Sequence, residues 1–381
     1  MRLILKKTLV LLLAFALPGL AAAAPTPIPP PPTVAARSWI LIDAASGQSL
    51  ASRDADKTVD PASLTKLMTA YAVFHALKDG KLKLATAVPI SERAWRAEGS
   101  RTFLDLNSRV PVEVLLQGMI VQSGNDASIA LAEAVAGSED TFAALMNQYA
   151  AQLGMASSHF QNATGLPGPQ HRVTAADMAR LARAIIREFP EHYRWYSQRE
   201  FTWNNIRQGN RNGLLDRDPS VDGMKTGMTD AAGYCLVSSA RRDGMRLVAV
   251  VMGTEGPRER EDASLALLNY GFSFYESRKL QAAGESLAEV RVYRARGGHA
   301  ALGLREDLAV MLPRGSGGNI EIRVEPAPKL FAPLATTDQV GVVRAVLNGK
   351  VIAEAGLYPL AEVPRGGFFR RLWDTILSWF A

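Results

Sequence analysis

Tyr234-Cys235-Leu236-Val237-Ser238-Ser239-Ala240, then Arg241-Arg242-Asp243-Gly244-Met245, then Arg246-Leu247-Val248-Ala249-Val250-Val251-Met252 decide the fold class. Two apolar runs of strand length flank a short connection with Asp-Gly, which reads as a hairpin. A second hairpin is written far upstream, where Trp39–Ile42 and Ser49–Ala51 flank Ala45-Ser46-Gly47-Gln48. Between the hairpins the period changes. Leu64–Leu77, Ser128–Ala136, Asp140–Leu153 and Ala175–Arg187 repeat apolar residues at three and four positions, the helical spacing. Helices inserted between the strands of an antiparallel sheet predict an α+β domain over 36–278.

Beyond about residue 279 the texture is different. Ala288–Val292, Asn319–Val324 and Val340–Asn348 are short alternating runs separated by Gly and Pro, and predict a small all-β domain over 279–363. The two ends carry targeting signals. Arg2, Lys6 and Lys7 precede the apolar run Thr8–Leu20 and the small residues Ala21–Ala24, so residues 1–24 read as a secretory signal peptide. Residues 25–35 form a Pro-rich lead-in. At the other end Gly366 and Gly367 precede Phe368–Phe380. On a helical wheel Phe368, Phe369, Leu372, Trp373, Ile376, Leu377, Trp379 and Phe380 fill one half, and Arg370, Arg371, Asp374, Thr375 and Ser378 the other. Residues 364–381 are therefore expected to form an amphipathic helix lying in a membrane interface, too short to span it. A terminal helix docked on its own domain is the alternative.

Composition narrows the function. The chain has 381 residues, 48% hydrophobic and 21% charged, which excludes disorder as its main state. A single cysteine excludes a disulfide scaffold and a multi-thiolate zinc site. No metal-ligand spacing is present, and no cofactor is expected. The net charge of +6 comes without a dense basic tract, so nucleic acid is not an expected partner.

Three short motifs carry chemistry. Ser63-Leu64-Thr65-Lys66 opens a helix and puts a hydroxyl and an amine on one face, three residues apart. Serine needs a base, and lysine serves when burial or a neighbouring cation lowers its pKa. Alone the motif is weak, since Ser-x-x-Lys occurs by chance about once in such a chain and Ser63 could be a plain helix cap. Ser123-Gly124-Asn125 offers a second hydroxyl for proton relay and an amide, or else a polar turn capping the next helix. Lys225-Thr226-Gly227, expected on an edge strand, offers a cation and a hydroxyl for a carboxylate, with a glycine that lets a substrate backbone come close. Together, in this order, the three supply nucleophile, base, relay and anion clamp, a complete acyl-transfer site.

The set resembles the active-site serine, penicillin-recognising enzymes. Among these the chain is most similar to the low-molecular-mass penicillin-binding proteins of the 5/6 type, which are D-alanyl-D-alanine carboxypeptidases. The resemblance rests on Pro61–Thr69, Gln122–Ala127, Asn162–Pro167, Asn210–Asn212 and Val221–Gly227. It implies a β-lactamase-like catalytic domain, a β-rich second domain and a membrane-bound tail on the periplasmic, outer face of the cytoplasmic membrane. It implies removal of the terminal D-alanine from the peptidoglycan stem pentapeptide, with Ser63 as nucleophile and Lys66 as its base. Ser123 and Lys225 would return the proton, and Asn125 would hold the substrate amide. Thr226 and Arg211 would bind the terminal carboxylate, and the oxyanion would sit on the backbone N–H of Ser63 and one on the strand just past Gly227, at Met228. β-Lactams would acylate Ser63. Two departures stand out. Met228 occupies a position where the family often has His, and Thr254-Glu255 follow Gly253 where relatives can carry Arg, leaving Arg211 to hold the carboxylate. His171 reads as a surface-loop histidine before one that lines the cleft, Asp177 as a helix-start acid with burial beneath the site as a second reading, and His75 and His159 as structural.

Three rivals remain. A class A β-lactamase needs a Glu-x-x-x-Asn string well before Lys225, and the one literal match, Glu200–Asn204, lies inside an apparent strand. An endopeptidase cutting cross-links would use the same residues. A wall-binding scaffold without turnover would not need them.

Overall fold

The computed structural model describes residues 28–316 and 318–377. The expected signal peptide, and Trp379 and Phe380 of the tail, lie outside the described residues. At the centre is a five-stranded antiparallel sheet. Its order is Ser49–Arg53, Ser38–Asp43, Met245–Thr254, Gly233–Arg242 and Val221–Thr229. The two hairpins read from sequence are therefore neighbours, although some 180 residues of chain separate them, and the Lys225 motif is on a free edge.

Alternation explains how the sheet holds two layers apart. On the Met245–Thr254 strand, Val248, Val250 and Met252 join the core under the helical half, while Leu247, Ala249 and Val251 join the core on the opposite face. Ile40 and Ile42 part from Trp39 and Leu41 in the same way. That is period-two geometry with both faces covered, which is why these strands read as nearly unbroken apolar runs. The helical half contains Lys66–Lys78, Asn125–Ala136, Glu139–Gln152 and Ala175–Glu188. The opposite face is covered by one long helix, Pro257–Phe274. Its pattern gives little sequence signal, because it buries small and polar residues, Ala263, Ser264 and Gly271, beside Leu267 and Leu268. At Gly271 a Cβ would stand 2.4 Å from Leu247 Cδ1, so the helix lies close against the sheet.

The second domain is β-structured around a separate core that includes Val292, Leu302, Val310, Val343 and Leu357. The expected boundary at 278/279 falls inside the strand Tyr275–Gln281. That strand pairs with Leu308–Pro313 of the second domain, while Tyr275 still packs in the catalytic core and its hydroxyl donates to Leu50 O. Hydrogen bonding, not hydropathy, carries the chain from one domain to the next.

The tail is a helix, Phe368–Leu377. The Gly366-Gly367 pair does not isolate it. Gly366 N donates to Arg294 O (2.8 Å) and Arg296 N to Pro364 O (3.0 Å). The Asp374 carboxylate is buried and accepts from Arg294 N at 2.7 Å. The polar face docks, and Phe368, Phe369, Leu372, Trp373 and Ile376 remain exposed. Among the described residues no helix is long and apolar enough to cross a membrane.

Candidate active site

The first motif forms a tight turn before its helix. Ala62–Thr65 is a 3-10 turn, and the α-helix proper runs from Lys66 to Lys78. The turn places Ser63 half-buried and Lys66 fully beneath it. Lys66 Nζ lies 2.9 Å from Ser63 Oγ, 2.6 Å from Asn125 Oδ1 and 2.6 Å from the Thr164 carbonyl oxygen. Asn125 is held by its other end, donating through Nδ2 to Glu98 O at 2.5 Å. Burial pulls the Lys66 pKa down to about 7, Arg211 adds to the lowering, and Asp126 opposes it. Asp126 itself is occupied, accepting from Thr102 N, Leu104 N and Ala127 N.

This geometry fixes the direction of proton flow. Two of the three partners of Lys66, the Asn125 and Thr164 oxygens, can only accept. A neutral amine has two N–H donors and one lone pair. The donors go to the two carbonyl oxygens, and the lone pair is left facing the Ser63 hydroxyl. When neutral, a lysine arranged this way can accept the Ser63 proton.

Ser123 ends a π-helical turn, Gly118–Gln122, and takes a left-handed conformation (φ 68°), after which the Asn125–Ala136 helix begins. A serine held at positive φ is strained, and such strain is found where position matters more than comfort. Ser123 and Asn125 are both buried. Lys225 is buried on the edge strand, donating to Thr226 O at 3.1 Å. Burial lowers its pKa far below the usual lysine value, and Lys66, Arg260 and Arg211 push the same way. The second motif is thus joined to the first by a direct hydrogen bond, and the third by the mutual field of the amines. Arg211 is exposed, tied back to the second motif by Arg211 Nε donating to Gln122 O at 3.1 Å.

One sequence reading, that of His171, needs correction, and the surroundings of Gly227 and Arg211 add to two others. Gly227 does more than leave room for a substrate. A Cβ there would stand 3.2 Å from Pro61 O and from Ala62 Cβ, and 3.3 Å from Leu64 N, so its bareness lets the strand pack on the serine turn. His171 is not on the surface. It is buried, with Nε2 3.0 Å from Thr65 Oγ1, and burial pushes its pKa down to about 4, so a neutral imidazole braces the residue between Ser63 and Lys66. A second arginine lies behind Arg211. Arg260, on the long helix missed from sequence, is buried behind the edge strand, with Nη1 3.3 Å from Gly227 O and Nη2 3.4 Å from Arg211 O.

The quieter expectations read as follows. Asp177 is buried at a helix start, accepting from Ser158 and Arg180. His75 stacks on Tyr149 beside Glu188, away from the three motifs. Glu200 lies in the hairpin strand Glu200–Trp203, exposed and paired with Arg207. It is not a water-activating carboxylate of the β-lactamase kind. Among the described residues no group of acids, histidines and cysteine could hold a metal ion.

Comparison with known proteins agrees with this site. A family model described as D-alanyl-D-alanine carboxypeptidase matches residues 24–256. The chain belongs to the D-alanyl-D-alanine carboxypeptidase family. A second model, the C-terminal domain of penicillin-binding protein 5, matches residues 275–365. The carboxypeptidase is 43% identical over 366 residues to D-alanyl-D-alanine carboxypeptidase DacC of Escherichia coli, covering 92% of each chain. The crystal structure of penicillin binding protein 5 from Haemophilus influenzae superposes with a TM-score of 0.78 at 42% identity, covering 88% of this chain and 99% of that one. Penicillin-Binding Protein D2 of Listeria monocytogenes, solved in its ampicillin-bound form, matches at 28% identity and a TM-score of 0.59, covering 64% of this carboxypeptidase and 100% of that chain.

Proposed function

We propose that this carboxypeptidase hydrolyses the terminal D-Ala-D-Ala bond of the peptidoglycan stem pentapeptide through an ester on Ser63. The reading is carried by Lys66, a buried amine whose donors are both committed to carbonyl oxygens and whose lone pair faces Ser63 Oγ. Ser63 Oγ attacks the carbonyl carbon of the penultimate D-alanine, and its proton passes to Lys66 Nζ. The backbone N–H groups of Ser63 and Met228 hold the oxyanion. Collapse breaks the peptide C–N bond, and Ser123 and Lys225 relay the proton to the departing amine, which leaves as D-alanine. Water then attacks the ester and restores Ser63. Asn125 holds the substrate amide while it fixes Lys66. Thr226 and Arg211 take the terminal carboxylate, beside the Arg211 and Arg260 guanidinium groups.

β-Lactams present a carbonyl and a carboxylate in the same relation, so they are expected to acylate Ser63. A labelled penicillin binds covalently to the wild type, and Ser63→Ala abolishes the label while release of D-alanine from a pentapeptide stops. Stoichiometric labelling of Ser63→Ala sinks the assignment.

The exposed aromatic face of Phe368–Leu377 supports attachment to the outer face of the cytoplasmic membrane after export, with Arg370 and Arg371 beside anionic headgroups. Truncation after Pro364 gives a form that no longer pellets with membranes and still cleaves small peptides. A truncated form that pellets places the attachment elsewhere.

A further inference from the structure

The helix Glu139–Gln152 opens with an acid that does not face water. An acid in a first turn complements the helix dipole from the surface, yet Glu139 is buried. Both its oxygens are taken by groups outside its own helix. Oε1 accepts from Ala163 N at 3.0 Å, and Oε2 from Arg93 Nη2 at 2.6 Å. Ala163 belongs to a four-residue saddle, 162–165, that meets the first motif and its helix at three points. Lys66 Nζ donates to Thr164 O at 2.6 Å, and Thr69 Oγ1, one turn further along the helix, donates to Ala163 O at 2.7 Å. Gly165, at φ 88°, packs onto the serine turn, where a Cβ would stand 1.8 Å from Ala62 O. Asn162 Oδ1 shapes the saddle from within, accepting from Thr164 N at 3.1 Å and Gly165 N at 2.7 Å. The same helix that carries Glu139 also holds the chain leading into the saddle, since Asn147 Oδ1 accepts from Phe160 N at 2.9 Å.

We propose that Glu139 is a positioning residue for acyl transfer: by fixing the Ala163 N–H it sets the place of the neighbouring Thr164 carbonyl, which orients the Lys66 amine on Ser63. The proposal rests on Lys66 being the base for Ser63. Thr164 O takes one of the two N–H donors whose commitment leaves the lone pair toward Ser63 Oγ. A carbonyl displaced from that place frees the amine to turn. Glu139 reaches Lys66 through the backbone. The charges that weigh on Lys66 directly are Asp126, Arg211 and, from the edge strand, Lys225. His171, beside Thr65, is neutral above about pH 4. Without the Glu139 carboxylate the buried Ala163 N–H is unpaired, and an unpaired buried donor is costly enough to draw the segment toward another acceptor. The role is that of an acceptor at a fixed distance, so an amide of the same length can fill it.

The test follows acylation of the full-length enzyme by a labelled penicillin as a function of pH, with rates counted per molecule that finally takes the label, so that misfolded protein drops out. Glu139→Ala is expected to slow acylation about tenfold, as a small misplacement of a catalytic group does. It is also expected to move the inflection near pH 7 to lower pH, because a Lys66 ammonium that loses an acceptor gives up its proton more readily. Glu139→Asp, one methylene shorter, is expected to shift rate and inflection in the same directions. Glu139→Gln keeps an oxygen for Ala163 N and is expected to stay within about twofold of the wild type, with the inflection unmoved. Wild-type rate and inflection in Glu139→Ala overturn the proposal, even beside a lowered Tm, which would make Glu139 a structural residue only. A Glu139→Gln enzyme that falls as far as Glu139→Ala, or takes no label, overturns it as well, since the charge and not the contact would then be responsible. Where Glu139→Ala takes no label, Glu139→Asp decides by the same two readouts. Lys66→Ala acylated at the wild-type rate removes the base itself and this proposal with it, whereas an inert Lys66→Ala beside unaffected Glu139 variants overturns this proposal alone.

Discussion

The cleft and the tail both invert the usual inside-outside rule, and they do so in opposite senses. In the cleft, Lys66, Lys225 and Arg260 are buried. In the tail, Phe368, Phe369, Leu372, Trp373 and Ile376 stand in water while the carboxylate of Asp374 is buried. A buried amine is costly to keep charged, and the fold turns that cost into a base available near neutral pH. An exposed aromatic face is costly to keep wet, and that cost is removed only by a partner surface. The Ala175–Glu188 helix shows the ordinary outcome. It is amphipathic like the tail, yet Met178, Leu181, Ala182 and Ile185 are all buried in the catalytic core. Two apolar stripes of similar pattern thus have different fates, and the pattern does not say which.

The largest effect separating the two regions is expected at Lys66. Lys66→Ala removes the group that takes the Ser63 proton, and general-base loss costs about 10²–10⁴-fold. The acylation rate with a penicillin is expected to fall by at least that much, with vesicle binding untouched. Retained wild-type acylation would mean that the base is another group.

Next comes a matched pair. Ile185→Ala opens a cavity in the core and is expected to cost about 2–5 kcal/mol in urea unfolding. Ile376→Ala, on the exposed face, is expected to stay within about 0.5 kcal/mol and to weaken binding to anionic vesicles instead. Equal destabilisation by the two would show that the tail's apolar face is covered by the protein itself.

A smaller signal lies in pH. Lys66 acts as a base only when neutral, and its pKa is lowered to about 7. The acylation rate should therefore climb as pH rises toward 7 and level off above it. Arg211→Gln removes a cation that helps the lowering, so the inflection should move upward. Stability follows the same shift. Below about pH 7 the fold buries a cation that the unfolded chain solvates, and the cost fades as pH rises from 7 toward 10.5. Lys66→Met is expected to raise Tm more at pH 6 than at pH 9; a gain independent of pH would mean that Lys66 stays charged in the fold over this range and that its pKa is not lowered.

Periodicity and local chemistry were enough for much of this molecule. The Gly233–Arg242 and Met245–Thr254 strands are legible as nearly unbroken apolar runs of strand length, and the Ala175–Glu188 helix because it repeats its buried residues at the helical period. Ser63 and Lys66 are legible because one helical turn brings them together without help from the rest of the chain. Tertiary structure alone decided what lies between distant segments. Asn125 meets Lys66 across 59 positions, Thr164 across 98, and His171 meets Thr65 across 106. No local pattern records those meetings, since each depends on how separate helices pack on one sheet. The same holds for Arg260, whose charge reads as a solvated helix face until the sheet closes over it, and for Asp374, which reads as the polar side of a free helix until Arg294 N–H is found waiting for it. Burial is a property of neighbours, and a sequence names residues without their neighbours.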